Sequence, residues 1–419
     1  MSPQAGRTDR KFSDATWLTS GSLPKLLAVL DRDGEEARAV GGAIRNALLG
    51  VPVLEVDVAT TAAPDQVVAR VTAAGFKAVP TGIEHGTVTV VIDKQPFEVT
   101  TLRKDVETYG RHAKVEFGRD WKADAERRDF TINALSAVRD GTVYDYAGGL
   151  DDLAHRRVRF IGDPAKRIEE DYLRILRFFR FHAAYGAGHP DAVGLAACIA
   201  ARDGLDQLSR ERVRMELLKL LVAPHATATL AVMAQAGLLL LVLGGVPYLA
   251  DFENVAKVEA STGTTPDAVR RLGALSVVIA EDAERLWRRL RLTNNEHERL
   301  ASVAEGWRRI SPAFGENAAK ALLYRLAPQH FTDHALLGWA RSEATAHDAK
   351  WHELATLPQR WTAPEFPLKA ADLMKRGVAQ GPALGAALAA AERAWIAGGF
   401  TQERRALDEI ADAAAKNGP

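Results

Sequence analysis

Apolar residues along the first 150 positions change period several times, and each change marks an element. After a polar leader of roughly 35 residues that includes Trp17, Leu23 to Leu30 carries a helical apolar stripe suited to covering a sheet. Ala37 to Val40 reads as a short buried strand that runs into Gly41-Gly42. Ile44, Ala47, Leu48 and Leu49 then recur at helical spacing, so the glycine pair opens a helix. Pro52 breaks the chain, and Val53 to Ala59 alternates as a strand does. The pattern further predicts an amphipathic helix over Pro64 to Ala74. Strands are predicted at Phe76 to Pro80, Thr87 to Ile92, Pro96 to Arg103 and Val143 to Tyr146. From about Arg156 the period is helical to the end, with Ser209 introducing a long amphipathic helix over Glu211 to Leu221. The expected fold is an α/β N-terminal head, a small mixed sheet with helices, followed by an all-α remainder.

One stretch resists this reading. Arg103 to Ala125 is charged, glycine-interrupted and weakly periodic, and fits either a mobile surface loop or a functional one. Composition narrows the classes. At 419 residues the chain exceeds one ordinary core, and roughly two to four domains are expected. Lys+Arg and Asp+Glu both number 54, so any nucleic-acid contact must come from local basic patches rather than from net charge. Two such patches stand out, Arg156-Arg157-Arg159 and Arg285 to Arg291. Cys198 is the only cysteine, which excludes disulfides within the chain and cysteine zinc sites. The first residues, MSPQAGRTDRKFSD, lack a signal-peptide core, and no run of about 18 apolar residues occurs, so a soluble cytoplasmic protein with no membrane partner is expected. No GxxxxGK[ST] loop is present, and His347-Asp348 lacks the further ligands of a metal phosphohydrolase. All histidines but His85 read as structural or surface residues.

The candidate chemistry lies near the glycine pair. Glycines at a helix N-terminus let backbone amides approach a phosphate closely, and Arg45 in the first turn adds a charged donor. On an alternating strand Glu55 and Asp57 leave the same face, and a divalent metal removes the repulsion between them. Glycines for a triphosphate and paired acids for Mg²⁺ suggest nucleotidyl transfer. Glu98 is a candidate third carboxylate on a neighbouring strand. RRDFTINAL opens a further helix, with Asp129 placed as N-cap and Asn133 one turn later, an arrangement that a capped surface feature also explains. Asp171 and Arg174, three apart on a helix, would share a face. Taken alone they could be an ordinary ion pair. Together they could read a base: Asp accepts from an exocyclic amine and Arg donates to ring acceptors, a pattern that cytosine and adenine match and uracil and guanine reverse.

VGGAIRNALLG followed by VDVAT resembles the signature of the polymerase-β-like nucleotidyltransferases that act on tRNA, the class II CCA-adding enzymes and the bacterial poly(A) polymerases. With RRDF and the Glu170-Asp171-x-x-Arg174 motif, four motifs match in order from about Ala39 to Leu221. The resemblance implies a catalytic head over 1–150, a helical neck over 151–225 that selects the base, a body over 226–345 and a tRNA-binding tail over 346–419. It implies Glu55 and Asp57 as the catalytic pair and as ligands of Mg²⁺, with Glu98 a candidate third ligand or a plain strand residue. It gives nucleotide binding to Gly41, Gly42, Arg45, Arg128, Asp129, Asn133, Asp171, Arg174 and Arg177, with Asp129 and Asn133 on the ribose 2′-hydroxyl. RNA would lie on Arg288 and Arg289. Two positions depart from the family pattern, which usually has Asp where Asn46 and Glu55 stand. The implied function is template-independent addition of C, C and A to tRNA from CTP and ATP. The alternatives are CC-only or A-only addition, polyadenylation, or an RNA-binding protein that has lost catalysis. Oligomeric state is left open.

Overall fold

The computed structural model describes residues 6–12, 15–83, 86–109 and 112–416; His85 lies outside them. The chain divides into two compact units, Met1–Val242 and Leu243–Pro419. The first unit is built on an eight-stranded sheet. Its strands are β1 (Arg7–Lys11), β2 (Ala37–Val40), β3 (Asp57–Thr60), β4 (Lys77–Gly82), β5 (Thr87–Ile92), β6 (Gln95–Thr101), β9 (Ser136–Ala137) and β10 (Thr142–Tyr144), while β7 (Arg103–Tyr109) and β8 (His112–Phe117) pair only with each other. The order is β1-β10-β9-β2-β3-β6-β5-β4. Among the described strands only β3 and β6 run parallel. The Ser22–Leu30 and Pro64–Ala73 helices pack together, burying Leu23, Leu26, Leu27 and Leu30 of one and Val67 and Val71 of the other. Trp121 lies against Val40, Ala59 and Leu102. Arg38, 2% exposed, is sandwiched between Trp121 at 4.0 Å and Tyr144 at 3.8 Å and pairs with Glu36.

Four sequence expectations change. β3 starts at Asp57 and not at Val53, because β2 turns away at Gly41 after the Val40–Asp57 pair and leaves Val53 to Val56 without a partner on that strand. The Arg103 to Ala125 stretch holds the β7–β8 hairpin and a helix over Trp121–Glu126. A ladder from Arg103–Phe117 to Tyr109–His112 pairs the two strands within the segment, which charge content does not reveal. RRDFTINAL opens no α-helix: Phe130 bridges to Phe160, packs among the rings of Phe160, Phe178 and Phe181, and only a 3₁₀ turn follows over Thr131–Asn133. Asp171 is extended between the Pro164–Glu170 and Leu173–Tyr185 helices, with φ −158°, so Asp171 and Arg174 do not share one helix. The strand over Arg7–Lys11, at one sheet edge, was not expected from its polar sequence.

The second unit is helical among its described residues. Phe331, Leu336, Trp339 and Trp351 build its main core, and the Glu316–Ala340 helix kinks at Ala327, ahead of Pro328. A buried ionic network runs from Glu259 to Arg270, on to Asp333, and from there to Arg299 and Asp267. Each buried charge meets an opposite one, which is the condition for keeping such groups in a core.

Candidate active site

The end of β2 and the start of β3 meet at Val40–Asp57, so Gly41-Gly42 and Asp57 occupy the same sheet end. Gly41 has φ +68°, a left-handed value that glycine adopts without strain, and a Cβ there would lie 3.1 Å from Arg128 Nη1. The Gly42–Leu48 helix follows. At seven residues it has fewer turns than the average helix, and its N-terminus needs the side chains around it. Arg45 is nearly buried, at 7% exposed. It donates to Asn133 Oδ1, to Tyr185 Oη at 2.9 Å and to Asn46 Oδ1 at 3.0 and 3.2 Å, and its guanidinium covers the Tyr185 ring at 4.1 Å. Burial lowers its pKa, with Tyr185 and Asp129 opposing. Its donors turn inward, tying the glycine helix to the Leu173–Tyr185 helix. The Asn46 amide oxygen serves Arg45 as a neutral acceptor.

The three expected acids are placed unequally. Asp57 and Glu98 each stand one residue before the paired Val58 and Val99 of the parallel strands, so their side chains leave the same face of neighbouring strands. Glu55 is exposed in the irregular segment before β3, outside the paired strand on which Asp57 stands. Among the described residues no group of three acidic or histidine ligands is gathered closely enough to hold a metal. The electrostatics still favour a cation: crowding by the protein raises the Asp57 pKa, Glu98 and Glu55 raise it further, and Arg128 opposes them. A divalent ion at Asp57 and Glu98 would relieve that repulsion, so the donor set fits one.

Asp129 is the hub of the remaining residues. Its carboxylate accepts from Arg177 Nε and Nη2, from Asn133 Nδ2 at 3.0 Å and from the Phe130 N–H at 2.9 Å. Burial alone would raise its pKa, but Arg177 and these hydrogen bonds outweigh it and hold the carboxyl below the usual range. Arg128 is held by Asp124 at 3.3 Å. Arg174 donates to the Arg167 carbonyl at 2.6 Å and to Glu170, while Asp171 accepts from Arg212 at 2.6 Å and from the Leu173 N–H. A single open cleft of about 460 Å³ is lined by Gly41, Gly42, Arg45, Asp57, Arg128, Asp129, Asn133, Asp171, Arg174 and Arg177. All nine expected nucleotide-binding residues are thus brought together with Asp57. Glu55 and Glu98 are not on that lining.

Sequence reasoning missed Arg180 and Phe181, which also line the cleft, and the residues behind it, Arg212, Glu216 and Tyr185. Arg180 stood three residues after Arg177, a helical spacing that could have found it. Glu216 pairs with Arg180 from 36 residues away and carries no local signal. The basic patches also separate. Arg157 and Arg159 are engaged by the fully buried Asp152, whereas Arg288 is 78% exposed beside Glu284 at 3.5 Å and Arg289 is half-buried.

A glycine turn and a carboxylate at one sheet end, facing a cleft of arginines with acidic partners, define a nucleotidyltransferase head. Residues 37–159 match the poly A polymerase head domain family, and residues 193–252 match the family described as a probable RNA and SrmB-binding site of polymerase A. The mouse mitochondrial CCA tRNA nucleotidyltransferase 1 is 34% identical over 401 residues, covering 93% of this chain and 89% of the mouse protein. The CCA-adding enzyme of Limosilactobacillus fermentum is 30% identical, covering 91% and 94%. The crystal structure of the Bacillus stearothermophilus CCA-adding enzyme in complex with CTP superposes with a TM-score of 0.71 at 27% identity, over 94% of this chain and 98% of that one. The chain belongs to the CCA-adding tRNA nucleotidyltransferase family, within the wider group that includes the poly(A) polymerases. Enzymes of this family work with a divalent metal. Among the described residues no helix is long and apolar enough to cross a membrane.

Proposed function

We propose that this chain adds C, C and A to the 3′ end of tRNA from CTP and ATP, releasing pyrophosphate. The observation that carries the reading is the one cleft in which the glycine turn, Asp57, the Asp129–Asn133–Arg177 cluster and the Asp171 and Arg174 side chains converge. The Gly41-Gly42 amides and Arg128 bind the triphosphate, and Arg45 fixes the helix that presents those amides. Asp129 and Asn133 accept from and donate to the ribose 2′-hydroxyl, which selects ribonucleotides. Asp171 and Arg174 meet the base edge, favouring cytosine and adenine by about 1–3 kcal/mol per good bidentate contact. Asp57 and Glu98 would hold the metal, Mg²⁺ in this reading, with Glu55 a further candidate ligand from its loop; the ion would supply Lewis acidity for the RNA 3′-hydroxyl and positive charge for the departing pyrophosphate. Arg288 and Arg289 bind the RNA, and the reaction takes place in the cytoplasm, which cell fractionation would check.

The test is incorporation into tRNA lacking its 3′ end, with Mg²⁺ and each labelled nucleotide in turn. Two C residues followed by one A is the expected product. Long runs of A would assign the chain to polyadenylation, CC or A alone to a restricted enzyme, and no incorporation to an RNA-binding protein.

A further inference from the structure

We propose that Arg212 is a positioning residue for base selection, holding the Asp171 carboxylate in the orientation from which it accepts the exocyclic amine of the incoming nucleotide. The inference rests on the base-reading role given to Asp171 above. Asp171 is extended between two helices, so no helical lattice fixes its side chain. Two contacts do: the Leu173 N–H donates to Oδ1 at 3.1 Å, and Arg212 Nη2 donates to Oδ2 at 2.6 Å. Arg174, expected to stand beside Asp171, has its own anchors in the Arg167 carbonyl and Glu170. The two members of the reading pair are therefore oriented independently.

Arg212 comes from the Arg210–Leu221 helix, which packs along the Leu173–Tyr185 helix. Glu216, one turn on, pairs with Arg180 and approaches Arg177 at 3.7 Å. Arg212 and Glu216 are four apart and so share a helix face. One helix behind the cleft thus braces the base reader through Arg212 and the Asp129 partner through Glu216. Each carboxylate oxygen of Asp171 accepts one bond already, and each keeps acceptor capacity for an amine. A guanidinium at 2.6 Å holds an acceptor-only carboxylate in place with a charge-assisted bond, the strong kind. Losing it frees rotation of a side chain whose direction is the selection.

The experiment compares kcat and KM for all four nucleotides in Arg212→Met, Arg212→Lys, Asp171→Asn and the double variant Arg212→Met/Asp171→Asn, each checked by melting temperature. Arg212→Met is expected to lower kcat/KM for CTP and ATP roughly tenfold more than for UTP and GTP, in the range of one bidentate contact. Arg212→Lys should restore part of that discrimination by keeping a cation on the carboxylate. In the Asp171→Asn background Arg212→Met should change discrimination no further, since the group it positions is already altered. A uniform loss over all four nucleotides in Arg212→Met overturns the proposal while leaving the reading of Asp171 intact, and so does an independent effect in the double variant. Discrimination unchanged in Asp171→Asn sinks both.

Discussion

The Asp129 carboxylate receives the Arg177 guanidinium twice, at 2.7 Å from Nε and 2.6 Å from Nη2, and the acid is only 10% exposed. Removing the arginine strands a charge in the protein. Arg177→Met is therefore expected to cost about 2–3 kcal/mol, below the figure for a fully buried pair because Arg177 itself is part-exposed. Because the folded pKa of Asp129 lies below its unfolded value, its contribution is complete above the unfolded pKa and disappears as pH falls through the folded one. Denaturant titrations of wild type and Asp129→Asn should accordingly converge as pH drops below about 4. A gap that stays constant down to acid pH would falsify the assignment.

Asp57 behaves in the opposite sense. Crowding, Glu98 and Glu55 raise its pKa, so the folded state at neutral pH carries a repulsion that a cation relieves. Asp57→Asn should abolish incorporation yet leave the melting temperature equal to wild type or higher. Metal affinity should weaken as pH falls through the raised pKa, because the protonated carboxyl is no ligand. Glu98→Gln should raise the metal concentration needed for half-maximal rate, and Glu55→Asp should be tolerated. Activity retained in Asp57→Asn would remove the metal site from this position.

Asn46 gives Arg45 a neutral acceptor at 3.0 and 3.2 Å. Asn46→Asp gives Arg45 a charged partner, and charge-assisted bonds are about twice as strong as neutral ones. A rise in stability of up to about 1 kcal/mol is expected, with KM for CTP unchanged or lower. A drop in melting temperature would mean that Asn46 serves something other than Arg45.

Gly41→Ala combines a positive φ with a methyl group 3.1 Å from Arg128 Nη1. The backbone cost is about 1–3 kcal/mol, since a ψ of −119° puts Gly41 outside the left-handed helical well, and Arg128 must give way slightly. Incorporation should fall further than stability does. If rate and melting temperature fall in step, the glycine serves the fold alone.

The basic patches make a paired prediction. Arg288 is exposed, so Arg288→Ala should flatten the dependence of tRNA affinity on salt by about one power. Arg157→Ala should leave that slope alone and lower stability, since Asp152 is fully buried beneath it. Filter binding across a salt series separates the two, and equal slopes in wild type and Arg288→Ala would move the RNA path elsewhere.

Legibility in the sequence was local. The glycine pair, the Gly42–Leu48 helix and the Thr87–Ile92 strand are all set by spacing between neighbours. The start of β3 was misplaced because alternation says which residues could form a strand, not whether a partner strand is there; β2 turns off at Gly41. Asp171 was misplaced for a related reason. A helical period continued through it, whereas its backbone is extended and its side chain accepts the Leu173 N–H, as a residue between two helices can. The anchors that orient the cleft, Arg212 to Asp171 and Glu216 to Arg180, span 41 and 36 residues and leave no trace in any local pattern.

The short register between β2 and β3 sets different tolerances on its two sides. Glu36 and Thr61 pin it: the Thr60 hydroxyl and the Thr61 N–H both donate to the Glu36 carbonyl, and the Glu36 N–H donates to the Thr61 hydroxyl. A slip of one residue would turn Asp57 to the opposite face of the sheet. The segment from Val51 to Val56 has no such partner on β2 and can change length with little effect on the position of β3. The sheet therefore tolerates length changes between Val51 and Leu54, ahead of Glu55, and hardly any from Asp57 onward. A library of single-residue deletions should show that boundary as an abrupt drop in melting temperature beginning at Asp57.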